Sequence, residues 1–153
     1  MKPLWGGEPT PRLQQGDVVL RPPRLTDAQS WFAVRGANQE WLEPWDATIP
    51  KEGNPHQEIP QTFPAMVRRL RTESSAGRMM AWIIEYRRVI VGQVTMGGIA
   101  YGSLRSAYIG YWIDERFGRR GIMSLSVAMV ADFAFRTLRL HRLELNIRPE
   151  NAA

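Results

Sequence analysis

Along the chain, apolar positions fall into several short alternating runs and three stretches with helical spacing. Val18-Val19-Leu20-Arg21 reads as a short strand that Pro22-Pro23 ends. Met80 to Tyr86 and Val89 to Met96 are two β-rich runs separated by Arg87-Arg88, which predicts a hairpin. Ala107, Ile109, Tyr111 and Ile113 alternate with Tyr108, Gly110 and Trp112, the two-residue period of another strand. Thr26-Asp27 marks a helix start, and Trp31, Val34 and Leu42 give the following segment an apolar side as far as Pro44. A second helix is predicted over Phe63 to Thr72, with Met66, Val67 and Leu70 inward and Arg68, Arg69 and Arg71 forming a solvated face. Beyond Ile122, the positions Leu125, Ala128, Met129, Phe133, Phe135 and Leu138 return with helical spacing. Residues 1–16 hold Gly6, Gly7, Pro9, Pro11 and Gly16 with little periodicity and predict an N-terminal arm; Asp46 to Pro60 predicts a loop.

Length and composition narrow the class. With 153 residues, 44% hydrophobic and 23% charged, the chain fits one globular domain with a real core. The absence of cysteine removes disulfides, thiolate metal sites and a cysteine nucleophile, and with only His56 and His141 no metal centre is expected. No apolar run reaches the roughly 18 residues of a membrane helix, and the start lacks a secretory signal, so a soluble, cytoplasmic protein without a membrane partner is expected. Twenty Lys and Arg against 15 Asp and Glu give +5, which suits anionic ligands. Many basic proteins bind no nucleic acid, so nucleic acid is not the expected partner.

The stretch after the 107–113 run carries the chemistry. Asp114 to Arg120 interrupts the pattern, Gly121 sits at a bend, and a helix begins at Ile122. A strand, a loop with glycine and arginine, and a helix start together aim unpaired N–H groups and a helix dipole at one point, which suits a pyrophosphate. Gly121 permits close approach to the backbone, while Arg119 and Arg120 add charge. A purely structural turn would show the same pattern.

These residues resemble the GNAT acetyltransferase superfamily, most closely its RimJ/RimL-like branch. Gly118-Arg119-Arg120-Gly121-Ile122-Met123 stands where the family has Gln/Arg-x-x-Gly-x-Gly/Ala, matching at the second glycine and departing at the first and last positions. Leu20 to Ala28 resembles the branch's opening strand and helix, Ile109-Gly110-Tyr111-Trp112-Ile113 its fourth strand, and Arg142-Leu143-Glu144 through Asn151 its fifth strand and exit. Trp41-Leu42-Glu43-Pro44-Trp45 resembles its substrate-side loop. The resemblance implies an α/β (α+β) fold with a mixed, mostly antiparallel central sheet, splayed fourth and fifth strands and flanking helices, over residues 17–153. It implies acetyl-CoA as cosubstrate: the backbone of Trp112 and Ile113 along the pantetheine arm, Gly118 to Ser124 (Gly118, Arg119, Arg120, Gly121, Ile122, Met123, Ser124) around the pyrophosphate, and Asn151 near the thioester. On the acceptor side it implies Trp41, Trp45 and Tyr108 as substrate-binding residues, with Trp82 as a further candidate for an acceptor tunnel.

The implied activity is acetyl transfer to a primary amine, most naturally a protein N-terminal α-amine, by direct attack in a ternary complex. Tyr108 and Asn146 occupy the two strand positions where superfamily members carry a catalytic Glu, which leaves Asn146 and Asn151 as the catalytic candidates and water relaying to Glu85 or Asp114 as a fallback. The family continues past the Asn with a helix and a strand pair, so the domain reads as C-terminally incomplete at Ala153, poor in transfer and able to form a homodimer through its exposed fifth strand. Two rival readings stay open: a non-catalytic CoA sensor, and a ribosome- or RNA-docking module.

Overall fold

The computed structural model describes residues 10–45 and 62–147. Within them lies a six-stranded sheet in the order β1 (Leu13–Gln15), β2 (Val18–Arg21), β3 (Met80–Tyr86), β4 (Val89–Ala100), β5 (Ser106–Ile113) and β6 (Arg142–Leu145). Neighbours are antiparallel except β5 and β6, which run parallel because α4 (Ile122–Arg136) carries the chain back between them. The expected α/β sheet flanked by helices is what forms.

The stretch 1–16, expected as an arm, contains β1. Leu13 pairs with Leu20 and packs on the core, and Gly16 turns the chain at φ 58°, so a three-residue strand too short to show periodicity is held by its partner. The hairpin stands as expected. Its turn residues Arg87 and Arg88 both adopt positive φ, 49° and 67°, the geometry that matches strand twist and usually takes Asn or Gly.

Two layers cover the sheet. On one face α4 packs Ile122, Val130, Phe133 and Ala134 against Leu20, Met80, Trp82, Val94, Met96 and Ile109. Trp82 is fully buried there, edge-on to Phe133 at 6.0 Å, with its indole N–H donating to the Pro11 carbonyl at 2.8 Å. It is a core residue rather than an acceptor-tunnel wall, since the parity of β3 turns it toward α4. On the other face lie α1 (Ala28–Ala37), the short α2 (Gln39–Leu42) and α3 (Phe63–Ser75), where Thr62 caps α3. Val67 is buried, Met66 and Leu70 are half-buried, and Arg68, Arg69 and Arg71 face outward as their spacing predicts.

Buried charge ties this second layer to the sheet. The Arg21 guanidinium donates to both Asp27 carboxylate oxygens at 2.8 Å and to Glu85, and the Arg24 amide donates to Asp27 at 2.7 Å. The network joins β2, the turn before α1, and β3.

Candidate functional site

The site is built where β5 and β6 part. Register pairs run Ser106 with Arg142, Ala107 with Leu143, Tyr108 with Glu144 and Ile109 with Leu145, and stop there. From Gly110 to Ile113, β5 pairs only with β4, so its opposite edge presents N–H and C=O groups that no strand takes among the described residues. Trp112 and Ile113 lie at the open end of this cleft, as the sequence predicts. An extended polar chain inserted there can pair with them as a strand would.

At the end of β5 the chain enters the loop before α4 through a well-anchored turn. Asp114 is 1% exposed; its amide donates to the Val91 carbonyl at 2.7 Å and its carboxylate accepts from the Arg116 amide and guanidinium. Burial alone would push this carboxyl up, but the Arg116 hydrogen bonds, with help from Asn38, hold it below the usual carboxylate range. Asn38 at the end of α1 also accepts from the Glu115 amide at 2.9 Å, which links α1 to the loop. Phe117 lies 6.0 Å from the Tyr86 ring, and the Arg120 guanidinium stands over Phe117 at 5.3 Å.

Arg119 and Gly121 then take positive φ, 58° and 79°, and Gly121 caps α4. The first-turn amides of α4 have no side-chain cap, and the first helical bond runs from the Leu125 amide to the Gly121 carbonyl at 3.0 Å. Unpaired amides, the positive end of a fifteen-residue helix, and exposed Arg119 and Arg120 without an acidic partner among the described residues converge on one surface. Nothing lies within 4 Å of where a Cβ on Gly121 would stand, so the space above it is open to a ligand. Gly118, extended at φ −65°, closes the preceding turn by donating to Glu115. Ile122 is buried and Met123 packs on the core, so both meet a ligand through the backbone alone; Ser124 is exposed in the first turn, its hydroxyl available.

The face of the cleft away from α4 is built from β4, β5 and α1. Here Tyr108 lies across Gly97 and Gly98 at the β4 irregularity, so close that a Cβ on Gly98 would stand 2.7 Å from its ring. Gly98 also has φ 56°. Gly98→Ala is expected to cost about 1–2 kcal/mol in backbone strain and to displace Tyr108; an unshifted denaturation midpoint would show that the ring does not depend on this glycine pair. Further along, Trp112 meets Trp31 edge-on at 6.1 Å and carries the Arg35 guanidinium at 5.0 Å, while the Trp31 indole donates to Gln93 at 2.9 Å.

Asn146 is exposed, immediately after β6 and opposite Gly110 by continuation of the register. Trp41 is half-buried in α2, and the Trp45 side chain and Asn151 lie outside the described residues. Both fallback carboxylates are largely buried in their ion pairs, Glu85 at 19% exposure with Arg21 and Asp114 at 1% with Arg116, which keeps them from an amine. The carboxylate that sequence reasoning passed over is Glu144. Leu143 packs on the core, so strand alternation turns Glu144 to the face of its register partner Tyr108, one residue before the strands part. Arg142 pairs with it at 2.8 Å. Parity separates Glu144 from Leu143 in the sequence, but which of the two faces α4 is set only by packing.

Known proteins share this geometry. The acetyltransferase (GNAT) domain family matches residues 17–153. A probable N-acetyltransferase, YjcK of Bacillus subtilis (strain 168), is 26% identical over 134 residues, covering 88% of this chain and 73% of the relative. The ribosomal protein uS5-alanine N-acetyltransferase of Escherichia coli (strain K12) is 23% identical over 143 residues, covering 94% and 73%. Among solved structures, Mycobacterium smegmatis RimJ in complex with CoA-disulfide superposes with a TM-score of 0.82 at 36% identity, over 99% of this chain and 73% of that one.

Proposed function

The chain belongs to the GNAT acetyltransferase family and is an N-acetyltransferase that draws on acetyl-CoA; from that premise we propose that its acceptor is the α-amine at a protein N-terminus. The observation that carries this reading is the chemistry of the acceptor face: Glu144, exposed to solvent and already paired with Arg142, is its one carboxylate at the cleft among the described residues. An α-ammonium with a pKa near 7.7–8.0 surrenders its proton far more readily than a lysine near 10.4. A site with one exposed carboxylate to take the proton suits the acceptor that gives it up more readily. The Escherichia coli relative is named for an alanine of ribosomal protein uS5, and action on such proteins would place this one in the cytoplasm; no helix among the described residues is long and apolar enough to cross a membrane.

In this reading the unpaired amides of Gly121 to Ser124, with Arg119 and Arg120, hold the pyrophosphate. The open β5 edge at Trp112 and Ile113 aligns the pantetheine arm, and the place where Ile109 and Leu145 part receives the thioester. The thioester supplies an acyl carbon with a good thiolate leaving group, so no covalent enzyme intermediate is needed. The amine nitrogen bonds to that carbon, the C–S bond breaks, and the amine proton passes through water to Glu144. Tyr108 and Asn146 border the amine, and Trp31, Arg35 and Trp112 wall its approach.

Two measurements test the reading. Acetyl transfer followed by mass spectrometry across N-terminal peptides, polyamines and aminoglycosides should favour the peptides, and faster acetylation of an aminoglycoside would overturn the acceptor assignment. Gly121→Asp should weaken calorimetric acetyl-CoA binding at least about tenfold, about 1.4 kcal/mol. Asp and Asn both tolerate positive φ, so Gly121→Asn separates charge from backbone strain and should lose much less. Equal binding by Gly121→Asp and the parent protein would move the pyrophosphate elsewhere.

A further inference from the structure

We propose that a cavity at the opposite edge of the sheet docks the phosphodiester backbone of RNA, independently of the acetyl-transfer site. The cavity, about 560 Å³, opens between β1, β2 and the β3–β4 turn. Five arginines line it against only Asp17 and Glu85. Arg21 is spent on Asp27 and Glu85, and Arg87 on Asp17 at 3.1 Å. Arg12, Arg24 and Arg88 form no ion pair among the described residues. The lining therefore carries more positive than negative charge, which favours an anion.

Arg87 and Arg88 occupy the two left-handed positions of the hairpin turn, at φ 49° and 67°, and the turn brings both to the lining of the cavity.

The lining chooses among anions. It contains no aromatic ring, so nothing there stacks a base, and recognition is of charge and phosphate geometry alone. Eighteen of the chain's twenty basic residues are arginine, the side chain whose planar fork engages phosphate oxygens in pairs. A net charge of +5 adds steering toward a long polyanion. The proposal departs from the sequence expectation that nucleic acid is not the partner and takes up the RNA-docking reading left open beside it, because composition cannot show that unpaired arginines converge.

The test is fluorescence anisotropy of the full chain with a short labelled mixed-sequence RNA across a salt series. Log affinity should fall with log salt, and Arg12→Gln, Arg24→Gln and Arg88→Gln together should flatten that slope by about 2, at about 0.7–0.9 for each phosphate no longer neutralised. The same triple variant should weaken RNA binding at least about tenfold at low salt while leaving its melting temperature and acetylation of a free peptide unchanged. Saturating acetyl-CoA should not displace the RNA. Absence of RNA binding at low salt, an unchanged slope in the variant, or displacement by acetyl-CoA would each overturn the proposal. Competition by poly-glutamate as strong as that of RNA would overturn it in favour of an acidic protein partner.

Discussion

Glu144→Gln is expected to lower kcat/KM at pH 7 at least about a hundredfold, the lower end of what a positioned proton acceptor contributes. Glutamine keeps the length and the hydrogen-bonding reach of the side chain but cannot take a proton. The register pair with Tyr108 places Glu144 on the acceptor face one residue before the cleft opens. The deficit should also depend on pH in a way that a structural role would not reproduce. Above the pKa of the acceptor α-ammonium, about 8, the amine arrives unprotonated and needs no acceptor for its first proton, so variant and parent protein should converge as pH rises. Acetyl-CoA affinity should stay unchanged, since the groups proposed to hold the pyrophosphate and pantetheine lie elsewhere. A full pH–rate profile checks this. A uniform loss at every pH, or none, would remove Glu144 from proton transfer.

Asp27→Ala is expected to destabilise the fold by about 3–5 kcal/mol, because it strips a buried guanidinium of its bidentate partner. The side chains of Arg21 and Asp27 are 8% and 7% exposed, and only Glu85 and the Pro22 carbonyl remain to the arginine. Burial by itself would raise the Asp27 carboxyl; the Arg21 guanidinium and the Arg24 amide outweigh it and hold the group below the usual carboxylate range. A depressed folded-state value means that the stabilisation is fully present above the unfolded carboxylate's pKa, about 3.9. It is lost as pH falls from there through the folded value. Urea melts of parent and variant should therefore differ most at neutral pH, and the gap should narrow only below about pH 4. A gap constant into strong acid would show that the carboxylate's charge is not what holds Arg21.

The residues differ in how far they can be read without coordinates. Val18 to Arg21, the hairpin and the strand at 107–113 were legible because alternation is a local property that survives without neighbours. The loop at 118–124 was legible for the same reason: a strand, Gly121 and a helix start are consecutive in sequence, and the free amides at a helix start follow from backbone geometry. The strand Leu13–Gln15 was not, being three residues long and held by pairing with β2. Trp82 and Glu144 failed for a different reason. Each needed the face of its strand, which is decided by where α4 packs.

Hydrophobic periodicity by itself determined the strands and helices, and the order of strand, Gly121 and helix start singled out the loop at 118–124, since both rest on residues near in sequence; the class of fold and the family came from the resemblance of several motifs in order. Only the tertiary structure decided which carboxylate stands on the face of Tyr108, which were buried against Arg21 and Arg116, and that Arg12, Arg24 and Arg88 share one cavity. The physical reason is that charge acts through space. Whether a carboxylate or guanidinium is paired or free depends on groups brought within a few ångströms by pairing and packing, and residues 64 positions apart, such as Arg21 and Glu85, become neighbours only once the sheet exists.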